Sequence, residues 1–221
     1  MIPYSKPDIT EEDIDAVNQV LREPMITQGQ RVPDFENSVA ELVGAEHAIA
    51  MNSATSALHI ACLSLGLSKD DYLWTSPITF VASANCGRYC GAKVDFVDIN
   101  PDTGLMSISE LKQKLEKAAK KNTLPKIVIP VHLAGTSCDM KGIYELSKKY
   151  NFKIIEDASH ALGGKYESEP VGSCKYSDIT IFSFHPVKII TTAEGVMEVT
   201  NNKSLAQKMM DLRSHCIVKD K

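Results

Sequence analysis

The chain has 221 residues, of which 43% are hydrophobic and 24% are charged, and its formal net charge is −4. This length can bury a sizeable core, and the composition is typical of a soluble globular protein. The negative charge argues against nucleic-acid binding. No apolar run is long enough to span a bilayer, and the N-terminus lacks the apolar core of a signal peptide. We therefore expect a cytoplasmic protein without a membrane or nucleic-acid partner.

The cysteines are expected to be reduced, because the chain carries no secretion signal. There are six of them, Cys62, Cys86, Cys90, Cys138, Cys174 and Cys216. Cys86 and Cys90 are four residues apart and could meet on one helix face. No CxxC pair and no second Cys/His cluster completes a zinc-binding set, so no metal site is predicted and core packing is the favoured role.

The N-terminal region predicts two helices. Residues 8–22 form the first, with Thr10 as its cap and Asp13 in a position close to that of a capping box. The second covers about residues 33–43 and ends at Gly44, because glycine tolerates the left-handed conformation of a helix C-terminus.

A strand over residues 46–51 runs directly into Asn52–Leu58, where small and hydroxyl residues open a helix that ends at Gly66. Free backbone N–H groups and the helix dipole make such a turn suitable for a phosphate. Simple capping by Ser53 or Thr55 is the alternative. The chain has neither GxGxxG nor GxxxxGK, so dinucleotide and P-loop sites are not predicted.

The next strand, residues 72–76, leaves through a loop that ends at Phe80, a side chain that could stack on a flat ring or fill the core. The remaining predicted elements are helix 81–89, strand 94–98, charged helix 108–121, strand 126–133, helix 140–150, strand 153–157, strand 179–182, strand 196–200 and helix 203–212. About seven strands, most with helical crossovers, predict an α/β fold with a mostly parallel sheet and helices on both faces.

Two strand ends carry residues with a specific chemistry. Asp157 ends one apolar strand, and Lys188 lies just past another. A deprotonated lysine can form a Schiff base, and an aspartate can pair with the pyridinium nitrogen of pyridoxal phosphate. Alternatively, Lys188 is an ordinary surface lysine. Ligands bind at the carboxyl ends of strands in such sheets, and candidate side chains follow those ends at Thr55, Phe80, Asp157, His160, Ser183 and Lys188.

Five segments carry a family resemblance: residues 27–29, 52–59, 75–85, 156–163 and 182–188. In this order they resemble the DegT/DnrJ/EryC1/StrS sugar-nucleotide aminotransferases, which are fold-type I pyridoxal phosphate enzymes. The resemblance implies the large domain of that fold. NSATSAL, SHALG and SFHPVK…TTAEG are most similar to the pseudaminic acid branch. Enzymes of that branch convert a UDP-linked 4-keto-6-deoxy-N-acetylhexosamine to its 4-amino sugar.

The resemblance also implies a role for each site residue. Lys188 would bind pyridoxal 5′-phosphate as a Schiff base and later move the proton between cofactor and sugar. Asp157 would bind the pyridinium nitrogen, His160 would lie near the phenolic oxygen, and Phe80 would stack on the ring. The phosphate would be held by Ala54, Thr55 and Ser183. Some dehydratase relatives have His in place of this lysine, so Lys188 favours transamination, with L-glutamate as donor.

The chain departs from the family pattern at two places. Glu194-Gly195-Val196 stands where the family usually has Glu-Gly-Gly. The sequence stops at Lys221, so we expect residues 1–221 to comprise an N-terminal segment and the large cofactor-binding domain, without the C-terminal small domain. A full-length form would be a homodimer. The alternative is a truncated, non-catalytic remnant that binds the cofactor weakly or not at all.

Overall fold

A seven-stranded sheet is the centre of the computed structural model, which describes residues 5–217. Its strands are β1 (His47–Met51), β2 (Tyr72–Thr75), β3 (Lys93–Phe96), β4 (Ile127–Ile129), β5 (Lys153–Asp157), β8 (Ile179–Ser183) and β9 (Val196–Thr200). Their order is β1-β9-β8-β5-β4-β2-β3. β9 is antiparallel to both of its neighbours, and the other pairs are parallel. The prediction of a mostly parallel sheet is therefore confirmed.

Helices cover both faces of the sheet. They are α1 (Glu11–Val20), α2 (Arg31–Val43), α3 (Ala54–Ser64), α4 (Ala82–Tyr89), α5 (Ile108–Ala119), α6 (Met140–Tyr150) and α7 (Lys203–Arg213). One core cluster joins the sheet to α3, α4 and α7, and two others join the opposite face to α2, α5 and α6. Within residues 5–217, no helix is long and apolar enough to cross a bilayer.

Alternation along each strand divides the core between the two faces. On β4, Ile127 and Ile129 belong to the cluster under α3 and α4, whereas Val128 belongs to the cluster under α5 and α6. Successive strand side chains point to opposite faces, so a strand covered on both sides is apolar throughout. All three residues are fully buried.

The capping residues predicted for the first two helices are confirmed. Thr10 caps α1, and its hydroxyl and backbone N–H make reciprocal hydrogen bonds with Asp13. Gly44 ends α2 with φ of 72° in the left-handed region. No residue of α1 is buried, so its apolar side chains contribute little to the core of the described structure.

Two predictions about the strands need correction. The strand predicted over 126–133 ends at Ile129, because Pro130 has no N–H to donate and the chain then turns into a 3₁₀-helix, Leu133–Gly135. A small antiparallel hairpin, β6 (Lys165–Tyr166) and β7 (Glu169–Pro170), was not predicted from sequence.

Val196 is compatible with the fold although the family usually has glycine there. It is the first residue of β9, is fully buried, and pairs with Ser183 on β8 and Met51 on β1. Its side chain packs into the cluster under α3 and α7. No positive φ is required at this position.

Candidate functional site

A cavity of about 600 Å³ opens at the carboxyl ends of β1, β2, β4, β5 and β8. The cavity lining contains all seven residues predicted from sequence: Ala54, Thr55, Phe80, Asp157, His160, Ser183 and Lys188. The structure therefore brings together residues that are up to 134 positions apart in the chain. This is the edge at which parallel α/β sheets bind ligands.

Asp157 is held at the floor of the cavity by two hydroxyl groups. It is the last residue of β5 and is 5% exposed. The Ser83 hydroxyl donates to Oδ2 at 2.6 Å, and the Ser159 hydroxyl donates to Oδ1 at 2.7 Å. Thr79 lies 2.7 Å from the Ser83 hydroxyl. These contacts fix the orientation of the carboxylate.

Lys188 and His160 are in direct contact, with 2.6 Å between Lys188 Nζ and His160 Nε2. Burial lowers the pKa of Lys188 below that of a free lysine, although the charge of Asp157 opposes this shift. Burial and the charge of Lys188 both lower the pKa of His160. The neutral imidazole is therefore favoured as an acceptor for the lysine ammonium group. A lower pKa also makes more of the nucleophilic free amine available at Lys188.

The N-terminus of α3 forms one wall of the cavity. The Ser53 side chain caps the helix and accepts the Ser56 N–H at 3.3 Å. The backbone N–H groups of Ala54 and Thr55 lie in the first turn, where no preceding helical carbonyl is available to accept them. Together with the positive end of the helix dipole, they provide donors for an anion.

Phe80 and Ser183 complete the predicted set in different ways. Phe80 is 73% exposed and borders the cavity, so its side chain is not part of the core. Ser183 ends β8, and its hydroxyl accepts the His185 N–H at 3.4 Å. After Ser183 the backbone turns, and the Lys188 N–H donates to the His185 carbonyl at 2.8 Å. This turn places Lys188 beside the cavity.

A buried polar network lies behind Asp157. His132 lines the cavity, and its Nε2 is 2.8 Å from Glu156 Oε2. The hydroxyls of Ser177 and Thr180 donate to the other Glu156 oxygen. Burial alone would raise the pKa of Glu156, but these hydrogen bonds lower it overall. The network therefore satisfies a buried carboxylate directly beside the site residue.

Sequence reasoning assigned no role to Ser83, Ser159 or His132. The Ser83 contact joins residues 74 positions apart, so no local pattern could indicate it. Ser159 had a usable signal, because its N–H also donates to Asp157 Oδ1, two residues earlier, as in an Asx-turn.

The fold and the site together define a class of protein. Solved structures with the same fold include the aminotransferase PseC of Helicobacter pylori, which is involved in pseudaminic acid biosynthesis. Superposition of PseC on this chain gives a TM-score of 0.89 at 36% sequence identity, and the match covers 99% of this chain and 57% of PseC. The putative sugar aminotransferase Spr1654 of Streptococcus pneumoniae, in its PMP form, gives 0.88 at 31% identity, over 100% of this chain and 58% of Spr1654. The sheet and helices are those of fold-type I pyridoxal-phosphate-dependent aminotransferases.

A family profile matches residues 7–221, and the chain belongs to the DegT/DnrJ/EryC1/StrS aminotransferase family. A curated relative is the UDP-4-amino-4,6-dideoxy-N-acetyl-β-L-altrosamine transaminase of Campylobacter jejuni serotype O:23/36. It is 46% identical over 220 residues, which are 99% of this chain and 56% of that enzyme. The chain thus spans about half the length of the curated relatives it matches.

Proposed function

We propose that this chain is the cofactor-binding large domain of a pyridoxal-phosphate-dependent sugar-nucleotide aminotransferase. The proposed reaction transfers the amino group of L-glutamate to a UDP-linked 4-keto-6-deoxy-N-acetylhexosamine, which becomes the 4-amino sugar. The observation that carries the proposal is the presence of Lys188 and Asp157 in one cavity with an open helix N-terminus. The similarity to the Campylobacter jejuni transaminases supports this sugar class.

The residues present fit pyridoxal phosphate. An amine with a lowered pKa, a buried carboxylate and first-turn backbone amides line the same cavity. In the proposed binding mode, Lys188 binds the aldehyde, Asp157 binds the protonated ring nitrogen, and Phe80 covers the ring. His160 lies near the phenolic oxygen. The phosphate is held by Ala54, Thr55 and Ser183.

When bound, the cofactor supplies an electron sink for the negative charge that develops at the reacting carbon. The protein residues then orient the groups and move protons. Asp157, fixed by Ser83 and Ser159, keeps the ring nitrogen protonated. Lys188 Nζ takes a proton from the amino donor and returns one to the sugar carbon. The His160 imidazole, 2.6 Å away, can accept a hydrogen bond from the lysine ammonium group and orient it between these transfers.

We also propose that the active form is a homodimer. Among the residues that line the cavity, Ile78, Phe80 and Val187 are large apolar side chains exposed to solvent. Ile189 and Ile190, which directly follow Lys188 in the chain, are also exposed. An exposed apolar patch of this kind typically marks an interaction surface. Light scattering of the full-length form is expected to give twice the chain mass, and a monomeric, active enzyme would contradict this part of the proposal.

A direct assay incubates the purified chain with pyridoxal phosphate, L-glutamate and the UDP-4-keto sugar, and detects the amino sugar by mass spectrometry. Lys188→Ala removes the proposed nucleophile and should abolish product formation. Lys175→Ala is the matched control, because this lysine is paired with Glu169 outside the cavity. It should leave activity unchanged.

The outcomes separate the two candidate functions. Product formation that requires Lys188 would support catalysis by this chain. Cofactor capture without any amino transfer would instead support the non-catalytic alternative, in which the chain binds the cofactor but does not turn over the sugar. Equal product formation by Lys188→Ala would refute the role of Lys188.

A further inference from the structure

His132 is a buried residue of the cavity lining to which the proposed binding mode assigns no role. It is 1% exposed and belongs to the exit segment, residues 130–135, which leaves β4 on the way to α6. β4 ends at Ile129, because Pro130 has no N–H to donate to a neighbouring strand. The exit segment therefore lies outside the named strands, and individual contacts hold it beside β5.

The backbone of the exit segment is bonded to the backbone of Asp157. The Asp157 N–H donates to the Pro130 carbonyl at 3.0 Å, and the His132 N–H donates to the Asp157 carbonyl at 3.0 Å. Val131, between these two residues, forms an isolated parallel bridge with Asp157. Because these contacts are all on one side of Asp157, a shift of the exit segment would move the backbone that carries its carboxylate.

The imidazole of His132 anchors the exit segment through both ring nitrogens. Nδ1 accepts the Cys138 N–H at 3.3 Å, which leaves the ring hydrogen on Nε2. Nε2 then donates to Glu156 Oε2 at 2.8 Å. Two hydroxyl groups hold the other Glu156 oxygen, so within residues 5–217 His132 is the side chain that binds Oε2. Since Glu156 directly precedes Asp157 on β5, the imidazole ties the exit segment to the strand at the neighbouring residue.

The end of the exit segment also lies against the backbone of His160. Gly135 has φ of +89°, and a Cβ added there would be 2.7 Å from the His160 carbonyl oxygen. The exit segment thus contacts the backbone at Asp157 and again at His160. These are the residues that the proposed binding mode places at the ring nitrogen and near the phenolic oxygen.

We propose that His132 is a positioning residue for Asp157. Its hydrogen bond to Glu156 holds the exit segment against β5, and the exit segment sets where the Asp157 carboxylate lies in the cavity. This inference rests on the proposed function, because that function gives Asp157 its role at the ring nitrogen. Ser83 and Ser159 bind the carboxylate itself, whereas His132 acts on the backbone that carries it.

Amide exchange in the cofactor-free chain tests the structural part of the proposal. The Asp157 N–H, which is bonded to the Pro130 carbonyl, is followed by NMR after transfer to deuterated water, with the amides of β9 as the reference. In His132→Leu it should exchange at least about tenfold faster, because local opening of the exit segment releases this hydrogen bond. The β9 amides should exchange at an unchanged rate.

Two conservative variants identify the contact that matters. His132→Gln keeps an N–H donor near the position of Nε2, so exchange at Asp157 should stay within about threefold of the unaltered chain. His132→Asn keeps an acceptor near the position of Nδ1 but is too short to reach Glu156, so it should behave like His132→Leu. If His132→Leu does not fold, the comparison of these two variants gives the same test.

Pyridoxal phosphate affinity tests the functional part of the proposal. In absorbance titrations at one pH, His132→Leu and His132→Asn should bind the cofactor at least about tenfold more weakly, and His132→Gln within about threefold of the unaltered chain. His47→Leu is the control, because His47 begins β1 at the end opposite the cavity and is not in the cavity lining. It should bind as the unaltered chain does. Urea unfolding of each variant establishes that it is folded during the titration.

A double-mutant cycle separates positioning from a general loss of stability. Asp157→Asn removes the proposed charge at the ring nitrogen but keeps Lys188 and the phosphate-binding wall, so cofactor binding remains measurable. In this background His132→Leu has no carboxylate to misplace, and the further loss of affinity should be less than about threefold. A role in fold stability alone would lower the affinity equally in both backgrounds.

Three results would overturn the proposal. One is unchanged exchange at the Asp157 amide in both His132→Leu and His132→Asn. Another is a His132→Gln variant that binds the cofactor as weakly as His132→Asn. The third is an equal loss of affinity in the two backgrounds of the cycle. An unaltered chain that binds no pyridoxal phosphate would refute the proposed function, and exchange at the Asp157 amide would then decide the role of His132 by itself.

Discussion

Replacement of Glu198 by methionine should stabilise the protein, although most core substitutions destabilise. Glu198 lies on β9 between Ile49 of β1 and Ile181 of β8, and it is fully buried. Among residues 5–217, neither of its carboxylate oxygens has a hydrogen-bond partner. A buried polar group in this situation retains its desolvation cost without a compensating contact.

The gain in stability should depend on pH. Burial raises the pKa of Glu198 well above its usual value of 4.5, and the charge of Arg213 only partly opposes this shift. Below pH 4.5 the carboxyl is neutral in both the folded and unfolded states. As the pH rises from 4.5 through the raised folded pKa, only the unfolded state ionises readily, so the unaltered protein loses stability relative to Glu198→Met.

The magnitude follows from the two protonation states. At pH 4.5 the variant avoids burying an unpaired neutral carboxyl, which is worth about 1 kcal/mol. Near pH 8 it avoids a buried charge or the work of keeping it protonated. Apolar replacements of buried charged groups are often stabilising by about 1–4 kcal/mol. We therefore expect a gain of about 1 kcal/mol at pH 4.5 that grows toward about 4 kcal/mol at pH 8.

Urea unfolding at several pH values, followed by circular dichroism, measures this difference directly. Glu41→Met, on the exposed side of α2, is the control and should show no comparable gain. A Glu198→Met variant that is less stable than the unaltered protein at pH 8 would refute the reasoning. A gain that shrinks as the pH rises would refute it as well.

Two further predictions concern the site and the packing. Ser83→Ala removes the 2.6 Å hydrogen bond to Asp157. Because such charge-assisted bonds contribute about 1.5–3 kcal/mol, the variant should bind pyridoxal phosphate about 10- to 100-fold more weakly in an absorbance titration. Unchanged affinity would contradict the role of this bond. Gly172→Ala would place a Cβ 2.6 Å from the Phe182 ring at φ of +97°. Gly172→Ala should lower the free energy of unfolding in urea by about 1–3 kcal/mol. The loss should exceed that of Gly44→Ala, where φ is also positive but nothing lies within 4 Å of the added Cβ. Equal losses in the two variants would exclude the clash with Phe182.

The sheet, and the position of Asp157 and Lys188 at one edge of it, were predictable because the sequence signals for them are local. Apolar runs that end in Asp157 or lead to Lys188 mark buried strands and their carboxyl ends, and parallel strands bring such ends to one edge. The roles of individual atoms were not predictable. Ser83 meets Asp157 only through the packing of α4 beside the sheet, across 74 positions of sequence.

Glu198 shows a different limit of sequence reasoning. A strand was predicted over residues 196–200, as observed. Nothing in that pattern shows that the glutamate faces the apolar layer under α3 and α7 without a hydrogen-bond partner among the described residues. Its burial depends on the placement of β9 between β1 and β8, which is set by distant parts of the chain.

The most direct test of the central claim is the chemical identity of the residue that holds the cofactor. The purified chain is mixed with pyridoxal phosphate, its visible absorbance is recorded, and the adduct is reduced with borohydride and located by peptide mapping. The account predicts a yellow protein whose reduced adduct is on Lys188, and no such adduct in Lys188→Ala. A colourless chain, or an adduct spread over surface lysines with none at Lys188, would contradict it.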